Sequence, residues 1–326
     1  MPDKKKIGVL LPTRALVMQD AQPKGIDEII RMAKIVEEIG LDSVWVGDSL
    51  TAKPRLEPLT TLSAISAHTS RVRLGTAVML GALRHPVSLA QSATTVDVIS
   101  EGRLILGMGV GGAFNDIQRK EWINVGINPK YRAGRFEELL KIFKPLTRGE
   151  SVTFDGRHFT LENVSINPIS VQENGVPVLV AAHGRMDLER QYKRVSLGDG
   201  TISISDYPEE YSRGLQKINT LNVKREGLKP FEKVFYMTIN VNHDKDLALA
   251  DADEFIKLYY GMNIWLDRWG PWGSPKEIIQ KIKSYFLIGA NTIVVRFASL
   301  QQERQLEIFN NEVLPGLDSE IDSNLN

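Results

Sequence analysis

The sequence predicts an α/β fold of the (β/α)8 TIM barrel class in a chain of 326 residues. Short apolar runs bounded by turn residues alternate with helical patterns along the chain, and this alternation occurs eight times. Continuous apolar runs are typical of parallel strands buried on both faces, and eight such units favour a closed barrel over an open sheet. The candidate strands are residues 7–11, 43–47, 72–79, 103–108, 177–181, 199–203, 234–241 and 291–297.

The first helix shows the pattern that recurs between these strands. Residues 25–39 carry isoleucine, alanine and valine at helical spacing, and Gly40 ends the helix. Residues 151–166 interrupt the rhythm with an Asp-Gly turn between alternating arms, which predicts a hairpin inserted after the fourth barrel helix. Residues 258–274 are a second insertion, either a packed surface loop or a pocket wall at the carboxyl ends of the strands. Its aromatic residues are Tyr259, Tyr260, Trp265, Trp269 and Trp272.

Composition narrows the classes of function. Lys plus Arg and Asp plus Glu number 40 each, so no net positive charge attracts nucleic acid, and nucleic acid is not expected as a partner. The chain has no cysteine, which fits a reducing compartment, so a cytoplasmic location is expected. The apolar run at 7–12 is too short for a membrane span or a signal peptide. We expect one domain over residues 1–315 and a disordered tail at 316–326.

A glycine-rich loop follows the fourth candidate strand. Residues 107–112 read GMGVGG and fit the G-x-G-x-x-G pattern of dinucleotide-binding folds. The loop does not open a βαβ pair, and no strand ending in Asp or Glu lies about 20 residues further on, as that fingerprint requires. The loop is therefore either a mobile turn or a place where backbone closely approaches a bound cofactor. The histidines lack an acidic partner at metal-binding spacing, so no metal site is predicted.

Six segments carry a resemblance when they are taken together. They are residues 43–49 (SVWVGDS), 74–86 (LGTAVMLGALRHP), 100–112 (SEGRLILGMGVGG), 178–184 (VLVAAHG), 198–200 (GDG) and 273–275 (GSP). In this order they resemble the bacterial luciferase-like family, which contains flavin-dependent monooxygenases and oxidoreductases that use the deazaflavin coenzyme F420. The resemblance implies an oxidoreductase that binds coenzyme F420 or FMN and a small organic substrate.

Two chemistries and one non-enzymatic role follow from the resemblance. The glycine loop and Asp48 favour hydride transfer between coenzyme F420 and an organic substrate. Monooxygenation with reduced FMN and oxygen is the alternative. A non-catalytic flavin-binding barrel is a third alternative, because Ser49 and Gly112 stand where the deazaflavin-dependent sugar-phosphate dehydrogenases of the family have a histidine and a glutamate.

The resemblance also implies where the cofactor binds. A non-proline cis peptide at Ala77-Val78 would support one face of the ring, Asp48 would lie near its polar edge, and the turn at 183–186 would hold a phosphate. Asp48 and His85 are the candidate catalytic residues, with helix capping and loop shaping as the alternatives. The cofactor-binding residues so implied are Asp48, Thr76, Ala77, Val78, Gly107, Gly109, Gly111, Gly112, Asn115, Ala182, His183, Gly184, Arg185 and Met186.

Two candidate outer helices, residues 58–69 and 86–99, indicate self-association. An outer barrel helix normally carries charged residues on its solvent face, but the only ionisable side chains here are His68 and Asp97. Small residues that let another helix pack closely are Ser63, Ala64, Ala67, Ser92, Ala93 and Thr94. We expect a homodimer that pairs these helices across a two-fold axis, as the resemblance also implies. The alternative is that insertions of the same chain cover them.

Overall fold

The computed structural model describes residues 5–18, 25–221, 231–263 and 266–318. Its strands are β1 (Lys6–Leu10), β2 (Ser43–Val46), β3 (Arg73–Met79), β4 (Leu104–Met108), β5 (Val152–Asp155), β6 (Thr160–Val164), β7 (Val178–Ala181), β8 (Gly200–Ile204), β9 (Glu232–Val241), β10 (Trp272–Gly273) and β11 (Thr292–Phe297). Eight of them form a closed parallel barrel in the order β1-β2-β3-β4-β7-β8-β9-β11, with β11 paired to β1. The predicted barrel and its eight strands are confirmed.

Helices follow the barrel strands and pack around them. They are α1 (Ala15–Met18), α2 (Asp27–Glu38), α3 (Pro58–Ser66), α4 (Pro86–Ile99), α5 (Asp116–Ile123), α6 (Arg132–Thr147), α7 (Glu189–Val195), α8 (Pro208–Leu221), α9 (Lys245–Tyr260), α10 (Pro275–Leu287), α11 (Gln302–Ile308) and α12 (Leu314–Asp318). Helix α2 ends as its sequence predicts, because Gly40 adopts a left-handed φ of 83° that few other residues tolerate. No helix in the described ranges is both long and apolar enough to cross a membrane.

A single indole fills much of the barrel interior. Trp45 on β2 is fully buried, and its Nε1 donates a hydrogen bond to Ser43 Oγ at 2.9 Å. Gly8 and Gly75 on the neighbouring strands leave the room, because a Cβ atom at Gly75 would lie 2.2 Å from the Trp45 ring. The interior is therefore a packed core below the active-site end of the barrel.

An ion-pair network closes the opposite, amino-terminal end of the barrel. Arg73 at the start of β3 binds Asp42 at 2.7 Å and Glu232, at the start of β9, at 2.8 Å. Burial alone would raise the pKa of Glu232, but the hydrogen bonds and charge of Arg73 lower it. This network is distant from the carboxyl ends of the strands, so its role is structural.

The predicted insertions have different outcomes. Strands β5 and β6 form the expected hairpin, and the Glu138 carboxylate on α6 accepts hydrogen bonds from the amides of Arg157 and His158 at its turn. The prediction of a disordered tail from residue 316 is wrong for residues 316–318, because α12 continues to Asp318 and buries Leu317. Residues 319–326 lie outside the described residues, so the disorder prediction for them is not tested. Trp265, in the second predicted insertion, also lies outside the described residues.

The outer faces of α3 and α4 correct part of the dimer prediction. Ala93 and Thr94 are fully buried within their own chain, so the expectation that they face a partner is wrong. Asp97 also points inward, where its carboxylate accepts hydrogen bonds from Ser170 Oγ at 2.6 Å and Gln172 Nε2 at 2.8 Å. The exposed residues of α4 are consequently all uncharged: Ser88, Gln91, Ser92, Thr95, Val98 and Ile99.

Candidate active site

A cavity of about 210 Å³ lies at the carboxyl ends of the barrel strands, where barrel enzymes place their sites. Five residues that the sequence predicted for the cofactor site line it: Asp48, Ala77, Val78, Gly112 and His183. Leu10, Ala181, Ile202 and Ile204 add apolar surface from the ends of their strands. The cavity thus combines an apolar wall at the ends of the strands with polar and charged side chains, a combination that is common in cofactor pockets.

Strand β3 bends where it meets the cavity. The Ala77-Val78 peptide bond is cis, and the pairing of β3 with β4 shifts register between Thr76 and Met79. Thr76 itself is fully buried, and its Oγ1 donates to the Gly107 carbonyl oxygen at 2.8 Å. Thr76 therefore anchors the irregular segment from behind, while Ala77 and Val78 form the cavity wall.

The glycines of the loop at 107–112 serve different purposes. A Cβ atom at Gly107 would lie 2.2 Å from the Thr76 carbonyl oxygen, and one at Gly111 would lie 2.7 Å from the Trp122 ring. These two glycines are required by the packing of the chain itself. A Cβ atom at Gly109 would instead lie 3.2 Å from Val78 and 3.4 Å from Ala181, two residues of the cavity wall. A side chain at Gly109 would therefore press on the cavity wall from behind.

Asp48 lies at the cavity edge in a tight ion pair. Its Oδ2 is 2.6 Å from Arg84 Nη1 and also accepts a hydrogen bond from the Leu80 amide at 2.8 Å, while its Oδ1 is 3.1 Å from Arg84 Nη2. The Asp48 side chain is only 2% exposed. Burial would lower the pKa of Arg84, but the Asp48 charge raises it, so Arg84 keeps its positive charge beside Asp48. Asp48 thus has a fixed orientation and ties the β2 loop to the end of β3.

His85, the second catalytic candidate, lies on the outer surface and not in the cavity. It lines a groove between α3 and α4, and its ring meets Phe159 of the hairpin edge to face with centroids 5.5 Å apart. Burial and then the charge of Arg135 lower its pKa, so the ring is neutral at pH 7. Asn115, also predicted for the site, caps α5 with its side chain. The structure does not bring either residue to the cavity wall.

The turn predicted to hold a phosphate binds a carboxylate of the same chain. Gly184 N and Arg185 N donate to the two carboxylate oxygens of Asp206, at 2.7 and 3.2 Å. The amide of His183 donates to Gln191 Oε1 at 3.1 Å, and the amide of Met186 donates to the His183 carbonyl oxygen. Ala182 is buried, and its amide belongs to the barrel. A phosphate at these amides would have to displace Asp206, so phosphate binding here stays a prediction.

The His183 ring belongs to the cavity even though its backbone serves the turn. Its Nδ1 lies 3.3 Å from Ser203 Oγ, which donates to Asp206. Burial lowers the pKa of His183, and the Asp206 charge offsets this only in part, so the ring is neutral at pH 7. A neutral imidazole at the cavity wall offers one donor and one acceptor nitrogen to a bound molecule.

Sequence reasoning missed the polar residues of the opposite wall. Lys53 and Arg55 come from the loop after β2, and the rings of Tyr259 and Tyr260 stand at the end of α9. Lys53 Nζ lies 4.1 Å above the Tyr260 ring. Burial, followed by the charges of nearby arginines, lowers the pKa of Lys53 to about 8. The aromatic pair was noted as a candidate pocket wall, whereas the position of Lys53 and Arg55 after a barrel strand was the signal not used.

One carboxylate organises that wall. Glu121 on α5 is buried, and its Oε1 accepts hydrogen bonds from Ser49 Oγ at 2.7 Å, Thr51 N at 2.9 Å and Ala52 N at 3.1 Å. It therefore fixes the loop that presents Lys53, from a helix that follows the glycine loop. Among the described residues, no group of three or more His, Asp or Glu side chains is arranged to hold a metal ion.

Curated relatives match this chain over most of its length. The F420-dependent glucose-6-phosphate dehydrogenase of Amycolatopsis mediterranei is 28% identical over 91% of this chain and 96% of its own. The enzyme of the same name from Mycobacterium avium is 28% identical over 89% of this chain and 94% of its own.

Solved structures share the fold at lower identity. The monooxygenase RslO1 from Streptomyces bottropensis superposes with a TM-score of 0.80 at 22% identity, covering 95% of this chain and 99% of its own. An F420-dependent secondary alcohol dehydrogenase in complex with an F420-acetone adduct gives a TM-score of 0.77 at 19% identity, covering 97% and 100%. The family model described as luciferase-like monooxygenase matches residues 5–264, so the resemblance is confirmed. The chain belongs to the luciferase-like monooxygenase family.

Proposed function

We propose that this protein is an F420-dependent oxidoreductase that transfers a hydride between the bound deazaflavin and a small organic substrate. The observation that carries the proposal is the cavity at the carboxyl ends of the strands, where Ala77, Val78 and Ala181 form an apolar wall. It is supported by relatives named F420-dependent dehydrogenases, which match about nine-tenths of the chain. Membership of the family alone would leave an FMN-dependent monooxygenase as the alternative.

The residues present fit a planar cofactor ring. Ala77, Val78 and Ala181 offer small apolar side chains, and Gly109 adds no side chain behind them. Any larger residue at Gly109 would press on Val78 and Ala181 from behind and push them into the cavity. The ring therefore fits because the side chains on this wall are small or absent, as expected where backbone approaches a flat ligand.

When bound, a deazaflavin supplies a ring carbon that carries a hydride, and the protein supplies orientation, a dry environment and proton management. Val78 and Ile202 would exclude water from the ring, as apolar walls do. Asp48 is held in place by its ion pair with Arg84, so its role would be to orient its neighbours. Lys53, whose pKa is lowered to about 8, can release or accept a proton near neutral pH, and the neutral His183 ring can donate or accept a hydrogen bond.

Absorbance titration of the pure protein with F420 and with FMN tests the proposal. We expect F420 to bind at least about tenfold more tightly than FMN, since tenfold corresponds to about 1.4 kcal/mol of selective contact. Ala181→Leu should weaken F420 binding, and Ala250→Leu, on the exposed face of α9, is the matched control. Preferential binding of FMN would favour the monooxygenase, and binding of neither cofactor would favour a non-catalytic barrel.

We also propose the homodimer through α3 and α4. The support is an open groove of about 930 Å³ between them, lined by residues such as Ser63, Ala64 and Ser92, beside the exposed apolar residues Val98 and Ile99. Sedimentation at micromolar concentration should show a dimer that Thr95→Arg dissociates. Thr220→Arg is the control, because both threonines are exposed and bond the carbonyl four residues earlier in their helices. A monomeric wild type would contradict the proposal.

The cytoplasmic location stays a prediction, which cell fractionation tests.

A further inference from the structure

Four cationic side chains gather at one half of the barrel rim. Arg14 follows β1, Lys53 and Arg55 follow β2, and Arg296 lies on β11. The strands β9, β11, β1 and β2 are consecutive in the barrel, so these residues share one side of its carboxyl end with the tyrosines of α9. The cofactor-binding residues that the family resemblance implies lie on or after β3, β4 and β7 on the other side, apart from Asp48.

The cluster lacks compensating negative charge. None of the four forms a salt bridge with a carboxylate in the part of the chain that the structure describes. The Glu121 charge raises the pKa of Lys53, but the Glu121 carboxylate already accepts three hydrogen bonds from Ser49, Thr51 and Ala52. Aromatic rings provide the contacts instead: the Arg296 guanidinium lies 4.4 Å from the Trp269 ring centroid and 5.1 Å from that of Tyr259.

Arg296 is the member of the cluster whose charge is most deeply buried, so its desolvation costs the most stability. It is 2% exposed, and its Nε and Nη1 donate to Thr238 Oγ1 at 3.1 Å and to Tyr260 Oη at 2.8 Å. Its buried Nη2 has no hydrogen-bond partner among the described residues, and neither has the buried Nε of Arg14. Arg14, Arg55 and Arg296 line a void of about 10 Å³, large enough for about one water molecule or one ligand oxygen.

The neighbouring titratable groups report the same positive potential. Burial, reinforced by the three arginines and opposed by Glu121, lowers the pKa of Lys53. Burial would raise the pKa of Tyr259, but the same arginines lower it below its ordinary value. Buried unpaired cations destabilise a protein unless a partner neutralises them, and cation–π contacts offset only part of that cost. Among the described residues the cluster has no such partner, so a ligand at the cavity wall can supply it.

We propose that Arg14, Lys53, Arg55 and Arg296 form an anion subsite that binds the phosphate or carboxylate group of the substrate. Lys53 and Arg55 line the cavity itself, and Arg296 and Arg14 supply the buried donors behind them. Guanidinium groups suit this task because their planar donors match the oxygens of both anions. The assignment to the substrate, and not to the cofactor, rests on the proposed function and on the separation of the two halves of the rim.

Calorimetric titration of the full-length protein with inorganic phosphate, without cofactor, tests the subsite. We expect wild-type protein to bind one phosphate and Arg55→Met to bind it at least about tenfold more weakly, the effect of losing a charge-assisted pair of hydrogen bonds. Lys53→Met is a second variant with the same expected direction. Arg304→Met, at an exposed arginine of α11, is the control and should leave the affinity unchanged.

Proton uptake gives an independent readout. A bound anion favours protonated Lys53 and raises its pKa from about 8, so phosphate binding at pH 8.5 should take up protons. Titrations in two buffers of different ionisation enthalpy measure this uptake, and Lys53→Met should abolish it. Absence of phosphate binding by the wild type, or an equal loss in Arg304→Met, would overturn the subsite.

Adding F420 distinguishes a subsite for the substrate from a subsite for the cofactor's own phosphate. If the subsite belongs to the substrate, saturating F420 leaves phosphate affinity within about twofold, and Arg55→Met binds F420 as the wild type does. Competition between F420 and phosphate would assign the cations to the cofactor's own phosphate and overturn the proposal. If the wild type binds phosphate through Arg55 but never binds F420, the proposed function fails while the anion subsite stands.

Discussion

Replacing Arg84 by methionine isolates the value of the buried ion pair at the cavity edge. Methionine keeps the apolar stem but removes both hydrogen bonds to Asp48, whose side chain is 2% exposed. Of the partners that the structure describes, the carboxylate would keep only the Leu80 amide, at 2.8 Å. Breaking a buried pair in this way costs about 3–5 kcal/mol, because an uncompensated charge stays out of water. We expect a loss of that order in the free energy of unfolding at pH 7.

The chain offers a matched control for this experiment. Arg31 and Glu303 have the same closest distance as Arg84 and Asp48, 2.6 Å, but their side chains are 56% and 37% exposed. Exposed pairs contribute about 0–1 kcal/mol, so Arg31→Met should be nearly neutral. Urea denaturation of both variants measures the difference. Adding Asp48→Asn to Arg84→Met should recover part of the loss. Equal costs for the two single variants would refute the argument that burial determines the value of the pair.

Three further variants test two glycines of the loop after β4 and the ion pair at the amino-terminal end of the barrel. Gly107→Ala should destabilise the fold by clearly more than the roughly 1 kcal/mol typical of substitutions, because its Cβ would clash with the Thr76 carbonyl oxygen at 2.2 Å. Gly109→Ala should fold almost as stably but bind F420 more weakly, which thermal unfolding and absorbance titration check separately. Because the folded-state pKa of Glu232 is lowered, its ion pair with Arg73 stabilises the protein above about pH 4.5, and this contribution is lost as the pH falls through the lowered pKa. The difference in unfolding free energy between wild type and Glu232→Gln should therefore shrink between pH 7 and about pH 3.

The barrel was predictable because its signals are local. Each strand is a short apolar run between turn residues, and the same pattern occurs eight times, so an error at one strand would not have changed the fold class. Which face of each helix is buried was harder to predict. Residues 86–99 lack charge on every side except at Asp97, and the pattern does not say which uncharged face is buried. Ala93 and Thr94 were assigned to the wrong face for that reason.

The candidate site was only partly predictable, because it depends on residues that are distant in sequence. Asp48, Val78 and Gly112 each lie at the carboxyl end of a barrel strand or in the loop after it, and they were found. Lys53 and Arg55 are also in a loop after a strand, but their significance comes from Arg296 and the rings of α9, more than 200 positions further on. An isolated Lys-Pro-Arg in a loop reads as ordinary solvated charge, and only the fold shows that its neighbours add more positive charge.

The turn after β7 has the free amides expected of an anion site, but a carboxylate of the same chain already binds them. Free amides at the start of a helical turn favour an anion, and residues 183–186 supply such amides after a barrel strand. Asp206, after the next strand, provides the anion: its carboxylate takes two of these amides and the Ser203 hydroxyl, and its backbone carbonyl oxygen accepts a hydrogen bond from Tyr285. A ligand phosphate would compete with a carboxylate already in place at no cost in association entropy. The cations on the other half of the rim have no such internal partner among the described residues, so an anionic ligand gains more there.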